Sequence, residues 1–171
     1  MKKIKNKIKN HNDLKIQIEK WKSDNKQIVF TNGCFDLLHY GHIHYLANAK
    51  KKGDFLVVAL NSSDSISQIK GDHRPINDDL TRTNLMASLE FVDAVTIFHK
   101  ETPYELIKLI QPNVLVKGGD WDVKEIVGSD IVISLGGRVM FLPFIDGYST
   151  TGIEEKIKKQ ALNEFNKENK N

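Results

Sequence analysis

The chain of 171 residues has one cysteine, Cys34, so no intramolecular disulfide can form and a thiolate zinc site has no support. A reducing, cytoplasmic setting is the expectation that follows. No run of residues approaches the ~18 consecutive apolar positions of a membrane span, and the N-terminal KKIKNKIKN lacks the apolar centre of a secretory signal. The protein is therefore expected to be neither exported nor inserted. Internal repeats and low-complexity linkers are also missing. The length is close to the ~150 residues typical of one domain, which predicts a basic disordered leader over 1–11, a single domain over 12–165 and a tail over 166–171.

Apolar residues are 40% and charged residues 27%, which separates this chain from apolar-poor, charge-heavy disordered sequences. The net charge of +3 is unevenly placed. Residues 1–9 hold five lysines and no acid, residues 154–171 hold five lysines against four glutamates, and residues 10–153 hold 15 basic against 18 acidic side chains. The domain proper is mildly acidic, so neither a nucleic-acid nor a membrane partner is expected of it. The lysine run reads as a solvated terminus.

A helix is predicted from Asn12 or Asp13, as cap, through Trp21, with Leu14, Ile18 and Trp21 on one stripe that would serve a dimer or pack on its own sheet. Short apolar runs then recur at Ile28–Thr31, Phe55–Leu60, Ala94–Phe98, Val114–Val116 and Val139–Leu142. Each reads as a strand buried on both faces. Helical patterns lie between or after them at 43–52, 78–90, 103–110, 123–129 and 150–165. Thr102 and Pro103 are suited to cap and open one of these, and Gly53 to end another. Strand and helix alternating in this way predict an α/β domain, a doubly wound, five-stranded parallel sheet of Rossmann-like form. Ligands of such sheets sit beyond the carboxyl ends of the strands.

The segments following the strands carry the polar chemistry. After the first comes TNGCFDLLHYGH, where His39 and His42 stand three residues apart at a helix start, on one face and beside free N–H groups. Imidazoles so placed can donate to a phosphate whose charge grows during reaction. Metal ligation by His39, His42 and His44 is disfavoured, because HExxH spacing is absent. After the last strand, Ser149, Thr150 and Thr151 open the final helix with three hydroxyls, a second anion-binding helix start. After the fourth, Lys117, Gly118, Gly119, Asp120 and Trp121 offer a close backbone approach, an acid for ribose hydroxyls and an aromatic for a base. The stretch KGDHRP places Lys70 and Arg74 in a polar loop suited to phosphate.

His39-Tyr40-Gly41-His42 resembles the HxGH signature of the cytidylyltransferase-like nucleotidyltransferase superfamily, and Ser149-Thr150-Thr151 resembles its C-terminal phosphate motif. FTNGCFDLLHYGH, KGDHRPIN, LEFVD after Arg82, LVKGGDW and DGYSTTGI together resemble the stand-alone form of the family that makes ADP-heptose from D-glycero-β-D-manno-heptose 1-phosphate and ATP. The resemblance implies that His39 and His42 stabilise the pentacoordinate α-phosphate. It places the triphosphate on the backbone around Cys34 and Phe35, with Asn32 and Gly33 also meeting the nucleotide and Gly41 leaving room for the nucleoside. Gly119 and Asp120 would meet ribose or base, Ser149 to Thr151 the β- and γ-phosphates, Lys70 and Lys117 the phosphates and Arg74 the sugar phosphate. It further implies Mg2+ carried with ATP and not caged by protein, a homodimer, and a separate sugar kinase and phosphatase, since the length leaves no room for a kinase half.

Alternatives stay open at this level. They are a cytidylyltransferase for glycerol 3-phosphate or another polyol phosphate, an FMN adenylyltransferase, or a nucleotide-binding regulatory module without catalysis. Phe144, standing where glycerol-phosphate cytidylyltransferases carry an arginine, weakens the first of these.

Overall fold

In the computed structural model, residues 2–119 and 123–168 are described. Five strands form one sheet: β1 (Ile28–Gly33), β2 (Phe55–Asn61), β3 (Ala94–Phe98), β4 (Val114–Gly118) and β5 (Arg138–Leu142). All neighbours are parallel and the order is β3-β2-β1-β4-β5. The chain therefore reverses its direction of winding between β1 and β4, which is where a doubly wound sheet opens its crevice. All five expected strands are present, and β1 and β4 run two residues further toward that crevice than their apolar runs alone indicate.

Alternation along the strands feeds two cores. Ile28, Phe30, Val57, Ala59, Ala94 and Leu115 face helices α2 (His11–Ser23) and α6 (Tyr104–Ile110). Val29, Leu56, Val58, Leu60, Val95 and Val116 face α3 (Tyr40–Lys50) and α5 (Asp79–Ser88). The stripe on α2 is spent on the sheet of its own chain: Leu14 and Ile18 are buried, and Trp21 stacks on Phe55 with ring centroids 4.1 Å apart. The edge strand β5 is less enclosed than the expected two-sided burial, with Arg138 exposed and its other residues half-buried.

Several local expectations are corrected. Asn10, not Asn12 or Asp13, caps α2, its side chain accepting from the Asp13 N–H. Pro103 sits at the N-cap position of α6 with no side-chain cap, so Thr102 does not serve as one. Gly53 does not take a left-handed turn; a Cβ there would lie 2.8 Å from the Gln27 carbonyl, and close packing is the reason for glycine. A helix missing from the sequence reading, α4 (Ser63–Lys70), occupies part of the expected polar loop, capped by Ser62. The pattern at 123–129 resolves into a short 3-10 turn, Val123–Glu125, and a later helix α7 (Ser129–Ser134). The last helix, α8 (Thr150–Glu168), runs three residues past its expected end.

The leader is not the free chain its charge suggests. It forms a short helix α1 (Lys2–Lys5), then bridges the outer edge of β3 in parallel at Ile8↔Val95. Lys9 donates its N–H to the Val95 carbonyl and the Val95 N–H donates to Lys7, both at 2.8 Å, while Lys7 Nζ reaches the Leu89 carbonyl at 2.9 Å. Ile4 and Ile8 pack against the core. Backbone pairing at an open sheet edge needs no apolar run, which is why composition hid it. Deleting residues 2–9 should lower unfolding free energy by about 1–3 kcal/mol through these bonds and contacts. Urea denaturation of the two forms checks this, and coincident curves would return the leader to solvent.

Candidate functional site

The β1–β4 ladder is short. Val29 pairs with Val114 and Phe30 with Leu115, after which β1 continues beside β2 and β4 beside β5 without pairing to each other. The buried hydroxyl of Tyr45, from α3, fills this gap: it shares a hydrogen bond with Thr31 Oγ1 at 2.7 Å and donates to the Val116 carbonyl at 3.1 Å. Burial pushes the phenol up to about 12, against the opposing hydrogen bond to Thr31, so it stays a donor. One side chain thereby ties α3 to both splayed strands.

The loop leaving β1 turns sharply. Phe35 has φ 43, a left-handed conformation costly for a bulky residue. Its ring lies over Gly33, where a Cβ would come within 2.9 Å, and meets His42 edge-on at 5.1 Å between centroids. Two buried arginines hold the turn. Arg82 Nη1 donates to the Cys34 carbonyl at 2.8 Å and its other amine pairs with Asp79. Asp36 accepts from Arg74 Nη1 at 2.5 Å and from the N–H groups of Ile76 and Asn77 at 2.8 Å each. Burial raises the Asp36 carboxyl, but the Asn77 and Ile76 N–H donors and Arg74 outweigh it and keep the group below the usual carboxylate range.

Arg74 also pairs with Glu154 of α8 and is almost entirely buried. The expectation that it meets a sugar phosphate is therefore corrected: its guanidinium is taken up by two carboxylates. Arg74 instead fastens the loop after α4, the turn after β1 and the start of α8 to one another.

His39 caps α3, its Nδ1 accepting from the His42 N–H at 3.4 Å, and the two imidazoles stack with centroids 3.7 Å apart. Burial lowers the pKa of His39. For His42, burial first, then the adjoining His39 and the charge of Lys70, bring the pKa down to about 4 despite the Leu37 carbonyl. Its Nδ1 is buried without a well-formed hydrogen bond among the described residues. Both rings are thus neutral near pH 7, with N–H groups available to an anion. His44 faces away, toward Asn48. A Cβ on Gly41 would meet the His39 ring at 3.1 Å and Tyr148 Cβ at 3.2 Å, so that space is filled by protein.

Three adjoining clefts run along the carboxyl ends of the strands. The first, about 530 Å³, is lined by His39, His42, Phe144, Tyr148, Ser149 and Thr150 among others. Ser149 Oγ accepts from the Gly152 N–H at 3.0 Å, capping α8; Thr151 does not line this cleft. The second, about 160 Å³, joins His42 to Asn32, Gly33, Cys34, Phe35, Lys117 and Phe144. The third, about 360 Å³, shares Asn32, Gly33, Cys34 and Lys117 with the second and lies beyond it. Lys117 is buried enough to lower its pKa, and its ammonium reaches Asn32 Oδ1 at 3.4 Å. Gly119 has φ 93, which only glycine takes without strain. Asp120 and Trp121 lie outside the described residues.

The structure thus brings together His39, His42, Asn32 to Phe35, Lys117, Ser149 and Thr150, with the Lys70 charge felt at His42. Sequence reasoning overlooked Asp36, Tyr45 and Arg82. The signal for Arg82 was available: it falls on the buried stripe of α5 with Thr83, Met86 and Ala87, and an inward arginine needs partners.

A family model described as cytidylyltransferase-like matches residues 30–156. The chain is 48% identical over 158 residues to the bifunctional protein HldE of Trichlorobacter lovleyi, covering 92% of this chain and 32% of that protein. It is 51% identical over 151 residues to the bifunctional protein HldE of Geobacter metallireducens, covering 88% and 31%. The chain therefore spans about a third of the length of these curated relatives. Among solved structures, a lipopolysaccharide core biosynthesis protein from Thermoplasma volcanium matches with TM-score 0.58 and 31% identity, over 72% of this chain and 99% of that one. The pantoate-beta-alanine ligase of Francisella tularensis, at 16% identity and TM-score 0.58 over 86% of this chain and 75% of that one, shares the fold.

Two measurements test this geometry. Replacing Tyr45 by Phe should cost about 1–3 kcal/mol of stability, because the Val116 carbonyl and Thr31 hydroxyl lose their partner inside the core; chemical denaturation reads it. The His42 ring should titrate in NMR spectra near pH 4, below the ordinary 6.5. With its folded pKa depressed, His42 contributes stability that is complete above pH 6.5 and is lost as pH falls through the window to 4. A midpoint near 6.5 would contradict the buried, stacked placement.

Proposed function

The chain belongs to the cytidylyltransferase-like family of nucleotidyltransferases, and from that premise we propose that it moves AMP from ATP to D-glycero-β-D-manno-heptose 1-phosphate, giving ADP-heptose and pyrophosphate. The observation that carries the transfer chemistry is the stacked His39–His42 pair, set between the α8 start and the Lys117 cleft. Adenylyl transfer to a heptose phosphate is supported by the five motifs that resemble ADP-heptose-forming enzymes and by near-50% identity to proteins named HldE. The similarity to a lipopolysaccharide core biosynthesis protein supports a product destined for lipopolysaccharide or a related surface glycan. In this reading the enzyme works as a cytoplasmic homodimer on an acceptor prepared by sugar kinase and phosphatase activities. Among the described residues no helix is long and apolar enough to cross a membrane.

In the reaction, an oxygen of the sugar phosphate attacks the α-phosphorus of ATP. The bond from that phosphorus to the oxygen bridging to the β-phosphate breaks, and its electron pair leaves on pyrophosphate. The charges balance without a proton transfer, so the protein has only to position and stabilise. His39 and His42 offer N–H donors to the crowded α-phosphate; an arriving polyanion also favours their charged forms. Ser149 and Thr150 present hydroxyls, with the free N–H groups of the α8 start, to the β- and γ-phosphates. Lys117 meets the incoming phosphate, and Lys70 the triphosphate.

No group of three or more His, Cys, Asp or Glu side chains is arranged to hold a metal among the described residues. The clefts are lined by amide, hydroxyl, imidazole and ammonium groups, with the carboxylates of Asp146, Glu101 and Glu125 on separate elements, a set that fits Mg2+ brought in with ATP. Such an ion would supply neutralisation of the pyrophosphate's charge.

Pyrophosphate release measured over a panel of nucleoside triphosphates and acceptors tests the assignment. ATP with heptose 1-phosphate should be the productive pair; release with CTP and glycerol 3-phosphate, or with ATP and FMN, in its place would overturn it. His42→Ala should slow turnover by about 10²-fold or more, the usual loss for one transition-state donor, with ATP affinity retained in calorimetric titration. Unchanged turnover would remove His42 from the chemistry.

A further inference from the structure

The cleft beyond Lys117 has opposite charge at its two ends. At the end shared with His42 stand Lys117 and Asn32. The remaining walls come from other elements: Asn61 closes β2, Glu101 lies between β3 and α6, and Glu125 ends the 3-10 turn. The two glutamates line only this outer cleft, and neither is in an ion pair among the described residues. Asn61 is buried, with its Nδ2 donating to Ser65 Oγ at 3.1 Å, which fixes its amide at the cleft floor. Pro103, Ile126 and Val127 supply apolar surface.

Each end has a physical preference. A half-buried ammonium whose neighbour is a neutral amide gains most from an anion, since burial of unpaired charge is costly. Carboxylates and a fixed amide bind neutral hydroxyls well, as acceptors of O–H donors. The same carboxylates repel a second anion.

We propose that this cleft seats the body of the acceptor, and that Glu101 and Glu125 make it selective for a polyhydroxylated acceptor with a single phosphate, rejecting the same sugar phosphorylated at its far end as well. The phosphate enters at Lys117, next to His42, and the hydroxyls extend toward the glutamates. The inference rests on the acceptor being a sugar phosphate and assigns the residues that choose it.

The test is pyrophosphate release by the full chain and by Glu101→Gln, Glu125→Gln and the double variant, with heptose 1-phosphate as substrate and the corresponding doubly phosphorylated heptose as competitor. Equal unfolding midpoints would show that the substitutions leave the fold intact. The unmodified protein should favour the monophosphate strongly, and each substitution should narrow that preference by roughly 10-fold, the scale of one nearby like charge, while KM for ATP stays constant. Preference unchanged in the double variant, or a shift in KM for ATP instead of for the acceptor, overturns the proposal. If the unmodified protein uses another phosphate acceptor in place of the heptose, the reaction assigned above fails separately. The same comparison with that acceptor and its doubly phosphorylated form then decides the cleft: narrowing upholds the role of the glutamates, and its absence ends it.

Discussion

The site depends on a gap in the sheet. After Phe30 and Leu115 the two central strands stop pairing, and the polar backbone exposed by that parting must be satisfied or filled. The Tyr45 hydroxyl does so at one point, bonding Thr31 on one strand and the Val116 carbonyl on the other. Because Tyr45 belongs to α3, the same contact sets that helix on the sheet and, one and two turns earlier, places His42 and His39 at the mouth of the crevice. The widening of the sheet and the positioning of the histidines have one cause.

Much of the charge around the crevice is structural. Arg74 and Arg82 sit behind the loop, holding a turn that includes a left-handed Phe35. Without those clamps the turn would relax at the expense of its strained residue. Their positive charge is consumed by Asp36, Asp79, Glu154 and a carbonyl. The lysines proposed to meet ligands are fewer: Lys70 ends α4, and Lys117, near the end of β4, lies between two clefts. Neutral, stacked imidazoles suit this economy, since two adjacent charged rings would repel until a polyanion arrived.

The strands and the segments that follow them were legible because a parallel strand covered on both faces must be a continuous apolar run, and β1 to β4 are. The histidine pair was legible because residues three apart share one helix face and the turn-forming TNG before them marks the preceding strand's end. Other features were not. The sequence SDSISQIK of α4 buries only Ser65 and Ile66, too little periodicity to mark a helix. The leader joins the sheet through backbone groups, which carry no side-chain signature. Arg74 looked like a ligand for phosphate because its partners, Asp36 and Glu154, lie 38 residues before and 80 after it, and a pairing made by tertiary folding leaves no local pattern.

The protein is proposed to act by position and charge alone, with His39 and His42 at the reacting phosphate and neither forming a bond to it. Turnover of ATP made chiral at the α-phosphorus by sulfur substitution tests this most directly. A single in-line displacement predicts a sugar-nucleotide product with inverted configuration at phosphorus. Retention would mean two displacements through a covalent enzyme intermediate, and would contradict the account.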